Sequence, residues 1–404
     1  MNSLPTNGYE TSPPSGVSPR VRRLAPIIVP IAILALAGAG FLAYRLDSST
    51  PVVSSSVLLA PSVISGGDGH TCALISRGKV ECWGENGSYE LGNGTNTDSS
   101  TPVKVSDITN AIELSAGGLH TCALISGGTV ECWGDNQDGD LGNGSTNGGS
   151  TPVRVSGVTN AIQVSSGYDG ACALLSRGTI KCWGRNDFGE LGVEVREGYG
   201  NESSTPVQIS GITNAIQVSA GIEQTCALIS GGSVECWGAD FLGNSRTKGN
   251  PTPVQVPDIT NAIEVSAGGG ACALISGGKV ECWPPGMIGS TAKSTTPIQV
   301  PGITNAIQIS IGGSPCALLS GGKIECWGPN NTGQLGNGTT KSHSTPVAVS
   351  NITDATQVAA NTGFACALLT SRKVECWGDN WYGQLGNGTA GGEWWIPVTV
   401  VGIP

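Results

Sequence analysis

Apolar residues in this chain fall into two unlike patterns. Near the N-terminus, one run from Leu24 to Tyr44 (LAPIIVPIAILALAGAGFLAY) carries no charge. Further on, apolar residues come in short groups that alternate with polar ones and stop at Gly, Asn, Asp or Ser. Alternation with period two marks half-buried strands. In one stretch it predicts strands at Thr101–Val105, Ala111–Ser115, Thr121–Ile125 and Thr129–Trp133. Pro102 falls at the start of the first, where a missing ladder donor is tolerated. Beyond the apolar run no segment shows a helical period.

The group of four recurs. The string Cys-Ala-Leu-Ile/Leu-Ser/Thr has its Cys at 72, 122, 172, 226, 272, 316 and 366. Ten residues after each comes a second Cys followed by Trp, the Trp residues being 83, 133, 183, 237, 283, 327 and 377. Four-stranded units repeated every 44 to 54 residues predict an all-β propeller with seven four-stranded blades. The Thr-Pro-Val strand appears an eighth time as Ile396-Pro397-Val398. It is expected to form a closing strand at about 396–401 that completes the last or the first blade. Ser49–Val53 would then be a lead-in or an alternative clasp.

The cysteine spacing fixes a hairpin. A three-residue loop at Ser126-Gly127-Gly128 pairs Ile125 with Thr129, Leu124 with Val130 and Cys122 with Cys132. The common form of that loop is a type I turn followed by a left-handed Gly, here Gly128. The seventh unit has Arg372 at that place, so a strained or altered turn is expected there. Directly opposed Cβ atoms lie within disulfide reach. The expected pairs are Cys72–Cys82, Cys122–Cys132, Cys172–Cys182, Cys226–Cys236, Cys272–Cys282, Cys316–Cys326 and Cys366–Cys376. Zinc ligation fits poorly, because no second cysteine pair or His lies near each Cys.

The N-terminal segment sets topology. Residues 1–23 are poor in apolar residues and read as a disordered tail ending in Arg20, Arg22 and Arg23. The charge-free run 24–44 is long enough for a transmembrane helix. Basic residues on its N-terminal side place the tail in the cytoplasm, with 45–61 as a linker and 62–404 as an extracytoplasmic propeller at the plasma membrane. Cleavage as a secretory signal near Ala35–Gly40 is the alternative, giving a secreted protein. After position 46 there are 16 basic and 29 acidic residues, a balance of about −13. That sign argues against nucleic acid and anionic membrane surfaces as partners of the propeller.

The stretch from Gly117 to Gly144 (GGLHTCALISGGTVECWGDNQDGDLGNG) closely resembles the repeat of the regulator of chromosome condensation family. Residues 83–94, 133–144, 327–338 and 377–388 match its Trp-Gly-x-Asn-x-x-Gly-x-Leu-Gly part well, whereas units three, four and five diverge there. The resemblance covers nearly all of 49–404 and implies a closed seven-bladed ring. Nuclear members of the family exchange nucleotide on a small GTPase, which needs a cytosolic face. The Gly-Trp-Arg-His-Thr signature of the plant ultraviolet photoreceptor of this fold is absent. A secreted bacterial member that inhibits β-lactamases by binding their loops implies a binding mode.

Candidate chemistry is sparse. The repeat Trp residues read as blade packing, and the Leu-Gly-Asn-Gly segments read as turns that generate the sequons at Asn93, Asn143, Asn337 and Asn387. His70 and His120 suit structural hydrogen bonds. No catalytic triad, phosphate loop, metal motif or carboxylate pair stands out, so neither enzyme activity nor a cofactor is expected. The repeats break in two places. The third unit inserts Val193–Ser203, and the seventh carries Trp381, Tyr382, Trp394 and Trp395. Clustered loop aromatics suit an interface with a protein partner or seal the ring. The expected function is a membrane-anchored protein-binding scaffold. A glycan- or wall-binding module using the same Trp residues is the alternative, and a nucleotide-exchange regulator follows only by family analogy.

Overall fold

A computed structural model of the chain describes residues 63–194, 201–239, 250–283 and 296–403. The apolar run 24–44, the tail and the lead-in strand lie outside the described residues. Among the described residues no helix is long and apolar enough to cross a membrane.

Seven four-stranded antiparallel sheets follow one another around a ring. The first blade consists of Val63–Gly66, His70–Ile75, Lys79–Gly84 and Ser99–Lys104. The second consists of Ala111–Ala116, His120–Ile125, Thr129–Gly134 and Gly149–Arg154. The pattern repeats over 161–208, 215–255, 262–299 and 306–348, and the last blade holds Ala355–Ala360, Phe364–Leu369, Val374–Asp379 and Glu393–Thr399.

Blade boundaries differ from the predicted units by one strand. The Thr-Pro-Val strand is the fourth strand of the preceding blade, with Glu81 opposite Lys104 and Cys82 opposite Val103. The reason lies in the connections. The loop after the third strand folds back within the sheet, whereas the short link after Thr-Pro-Val runs between sheets. Its Val105 and Ile108 are buried in the core shared with the next blade. Every sheet is therefore contiguous in sequence. The last strand begins at Glu393 and lies beside the third strand of the seventh blade, with Cys376 opposite Val398.

The core lies between blades. Cys122, Leu124, Val130 and Cys132 of blade two pack with Val164, Ala171, Ala173 and Trp183 of blade three. The seam is built alike: Val374, Leu385 and Val400 pack with Ile64, Ala73 and Trp83. All seven repeat Trp residues are at most 1% exposed. They are the largest fully buried side chains of the ring, one in each core between neighbouring sheets. Each indole N–H needs a partner once buried. Trp133 Nε1 donates to the Glu90 carbonyl at 2.8 Å and Trp83 Nε1 to the Gln384 carbonyl at 2.9 Å, each in the preceding blade. In blades one, two, six and seven the Gly after the loop Leu makes room for this. A Cβ on Gly142 would stand 2.8 Å from Trp183 Cδ1, and its φ is +59°.

The inner strands add a second lateral contact. The Gln of Ala-Ile-Gln-Val-Ser accepts from the next blade's backbone, as Gln163 Oε1 does from Val218 N at 2.8 Å. The Ser does the same, as Ser115 Oγ accepts from Ser166 N at 2.8 Å. At the seam Gln357 both accepts from Ile64 N and donates to its carbonyl, at 3.1 and 3.0 Å.

The hairpin register is as the cysteines predict: Ile125 faces Thr129, Leu124 faces Val130 and Cys122 faces Cys132. Seven disulfides join the expected pairs, with Cα atoms 4.0–4.1 Å apart. Disulfides at this density indicate an oxidising environment outside the cytoplasm. The turn itself is more varied than expected. Gly127 and Gly128 both have positive φ (102° and 84°), unlike the single left-handed residue of the common loop, because Gly at both places removes the steric bias. In the seventh blade Arg372 takes φ 67° with a side chain present.

Candidate functional site

The strand order gives the ring two unlike ends. At one, the first strand turns into the second and the third into the fourth; we call it the loop end. At the other lie the turns between second and third strands and the links to the next blade; we call it the hairpin end. Ser126 N donates to the Asn110 carbonyl at 2.9 Å, and in blades two to seven this bond ties the hairpin turn to the start of its own inner strand.

The long loops at the loop end are built on a buried Asn. Asn86 is fully buried; its Oδ1 accepts from Leu91 N at 2.9 Å and its Nδ2 donates to the Thr95 carbonyl at 2.9 Å. Asn136, Asn330 and Asn380 do the same in their blades. The sequon asparagines close the tip. Asn93 Oδ1 accepts from Thr95 N at 2.9 Å and from Thr95 Oγ1 at 2.7 Å. These loops are thus fixed platforms.

Charge is divided between the ends. Among the described residues the loop end carries Asp68, Glu85, Glu90, Asp98, Asp135, Asp138, Asp140, Asp169, Asp187, Glu190, Glu194, Glu202, Glu223, Asp379 and Glu393. Against them, among the described residues, stand two Lys or Arg residues, Arg185 and Lys341. Arg185 is already committed, at 2.8 Å to Asp169 and 2.7 Å to Asp187. The hairpin turns carry Arg77, Lys79, Arg177, Lys279, Lys323, Arg372 and Lys373, all exposed. The links to the next blade there carry Asp107, Asp258 and Asp354. Among the described residues the excess of carboxylates over cations therefore lies at the loop end.

The four aromatics of the seventh unit sit on this acidic end. Trp381 is 63% exposed and Tyr382, Trp394 and Trp395 are 40–47% exposed. Trp381 N donates to Asp379 Oδ1 at 3.1 Å, and Trp395 Nε1 to Glu393 Oε2 at 3.2 Å. Trp395 also lies against Gly333 of the preceding blade, where a Cβ would meet its ring. Glu85 above all, then burial and Asp98, Asp379 and Asp68, push the Tyr382 phenol up. The seam between blades seven and one is built from Gln384, Gln357, Trp83 and Thr71. At the mouth of the channel Tyr168 Oη reaches Asp68 Oδ2 at 3.5 Å, linking blade three to blade one.

Buried ionisable groups lie beneath this surface. Burial holds His70 down to about 3 and His120 to about 4, so both are neutral. His70 Nε2 lies 2.8 Å from Thr121 Oγ1 of the next blade. Burial pushes Glu90, Asp140 and Glu190 up to about 7. Blades six and seven place Gln334 and Gln384 there, so the position asks for a neutral side chain. No group of His, Cys, Asp and Glu among the described residues could hold a metal. Half of the third-unit insertion, 195–200, lies outside the described residues. The division of charge was missed in the sequence. Sorting each charged residue by which turn it follows would have shown it.

Two family models of the regulator of chromosome condensation repeat match the chain, one at 77–124, 128–174, 177–228 and 322–368, the other at 111–140, 161–190 and 355–384. No curated protein matches the chain. Human WBSCR16 is similar in structure, with 20% identity, 80% of this chain and 94% of that one covered, and a TM-score of 0.72. Yeast RCC1 (Prp20), crystallised with Kap60, shares 18% identity over 83% of this chain and 74% of that one, with a TM-score of 0.51. The ectodomain of the receptor kinase CR4 of Physcomitrella patens shares 18% identity over 79% and 74%, with a TM-score of 0.52. At these identities the likeness concerns the fold.

Proposed function

For this chain, which belongs to the regulator of chromosome condensation repeat family, we propose a non-catalytic protein-binding scaffold, anchored in the plasma membrane through Leu24–Tyr44 and presenting its acidic loop end to a partner outside the cytoplasm. The observation that carries it is the loop end itself: loops fixed by buried Asn, a large excess of carboxylates among the described residues, and exposed Trp381, Tyr382, Trp394 and Trp395 among them. Aromatic anchors ringed by polar groups are the usual energetic centre of an interface. The one-sided field favours a partner with a basic surface and speeds its encounter. Seven disulfides support the compartment and speak against nucleotide exchange in the cytosol. Yeast RCC1 (Prp20), which shares this fold, has been crystallised bound to a protein partner, Kap60.

Two measurements test the reading. Cell fractionation with protease protection should find the full chain in the membrane fraction with the propeller digestible from outside; a protected propeller refutes the topology. Crosslinking on intact cells should capture a partner that is lost when Trp381, Tyr382 and Trp394 are changed to Ala. Capture that is unchanged by these substitutions refutes the assignment of the face.

A further inference from the structure

The hairpin end has a character of its own. The innermost strands of blades two to six each expose one isoleucine there: Ile112, Ile162, Ile216, Ile263 and Ile307, each 55–58% exposed. Nothing in the core needs them. The neighbouring Ala111 and Leu114 of the same strand are buried, whereas Ile112 falls at a register shift that turns it out of the sheet. Blade seven has Thr356 at this place, exposed as well. Five solvent-facing isoleucines around one mouth of a channel form an apolar ring of the kind that marks a contact surface.

Outside this ring stand the hairpin turns with their seven exposed Lys and Arg residues, against three Asp on the links between blades. The third strands carry six half-buried Glu residues, of which Glu81 and Glu131 are set opposite Lys104 and Arg154 in register. Half-buried Glu113 and Glu264 follow Ile112 and Ile263 on the inner strands, so the basic excess is confined to the turns themselves. An apolar centre with a basic rim is the composition of surfaces that settle on anionic bilayers: side chains enter the headgroup boundary while cations meet phosphate.

The path of the chain agrees. Val63 faces Leu74 as Glu113 faces Leu124, so the first blade starts at the hairpin end, beside the ring. Residues 45–62 join this point to the apolar run 24–44, and eighteen residues span at most about 60 Å. We propose that the hairpin end is a lipid-facing surface, which rests against an anionic phospholipid bilayer through the isoleucine ring and the basic turns. This orientation rests on the anchoring proposed above; the affinity of the surface for lipid does not. It turns the acidic end, which an anionic membrane repels, outward toward the partner. The net charge of the propeller hides such a surface, because the excess of carboxylates is at the opposite end.

The experiment uses the propeller from Ser55 onward, which holds all seven inter-blade cores and disulfides and forms one compact unit. Its co-sedimentation is measured with vesicles of phosphatidylglycerol and phosphatidylcholine in equal parts, and with phosphatidylcholine alone. It should bind the anionic vesicles and release them as salt is raised. Reversal of Lys279, Lys323, Arg372 and Lys373 to Glu should lower the partition coefficient by at least about a hundred-fold. Ile216→Thr with Ile263→Thr and Ile307→Thr, which copy the Thr356 of blade seven, should lower it by about ten-fold or more. Trp381→Ala should leave it unchanged. No binding to anionic vesicles, or binding that survives both sets of changes, overturns the proposal while leaving the anchor and the partner face untouched.

Discussion

Glu90→Gln is expected to stabilise the propeller at neutral and alkaline pH. The Glu90 side chain is fully buried, one oxygen accepting from Ser88 N at 2.8 Å and the other without a partner. Burial pushes its carboxyl from 4.5 to about 7. In the unfolded chain the proton leaves near the ordinary value; in the folded chain it stays until about pH 7. Between these values the unfolded state binds fewer protons, so raising the pH favours unfolding. The difference corresponds to about 3 kcal/mol, accumulated between pH 4.5 and 7 and constant above. Gln removes the charge and keeps the acceptor, as Gln384 shows by accepting from Tyr382 N at 3.0 Å. At about 2 cal/mol/K of unfolding entropy per residue, 3 kcal/mol moves the midpoint of this propeller by about 4 °C. Thermal melts followed by circular dichroism at pH 4 and pH 8 measure it. The variant should melt about 4 °C above the parent at pH 8 and level with it at pH 4. A gap of equal size at both pH values refutes the argument, since titration would then play no part.

Gly142→Ala should cost about 1–3 kcal/mol in chemical denaturation, because its Cβ meets the Trp183 ring and its φ is +59°. Arg372→Gly should gain up to about 1 kcal/mol in the same assay by relieving φ 67°. Thiol titration of the exported protein under denaturing, non-reducing conditions should find no free thiol, and each hairpin disulfide should be worth at most about 3 kcal/mol. His70→Leu should blunt the loss of stability as pH falls below about 6.5, since His70 holds off its proton until about 3. Melts across the acid range show it.

The ring was legible because its signal is repetition: Cys122 and Cys132 give the register, and Trp133 marks the packed face. Strand membership was not, because the Thr-Pro-Val strand has the same pattern whichever sheet it joins; only the burial of Val105 and Ile108 between blades decides it. Lateral hydrogen bonding was also hidden. Gln163 and Ser115 read as the polar half of an alternating strand, yet each bonds the next blade's backbone. The aromatics of the seventh unit were visible as a break in the pattern. Their acidic surroundings were not, since Glu85 and Asp98 reach Tyr382 from the far end of the chain.

Among the described residues no sheet of this ring takes a strand from the other end of the chain. The first and last blades meet through Gln357, Gln384 and packed side chains, the same kinds of contact that join other neighbouring blades, although Ala359 takes the place of the bonding serine. Each blade is consequently a complete module of heredity as well as of structure. A duplication or deletion of one cysteine-to-cysteine period would add or remove a whole blade with its disulfide, leaving both flanking joints chemically familiar. In such an architecture the reading frame of recombination coincides with the joint between sheets, and the number of blades can change without first inventing a new way to close the circle.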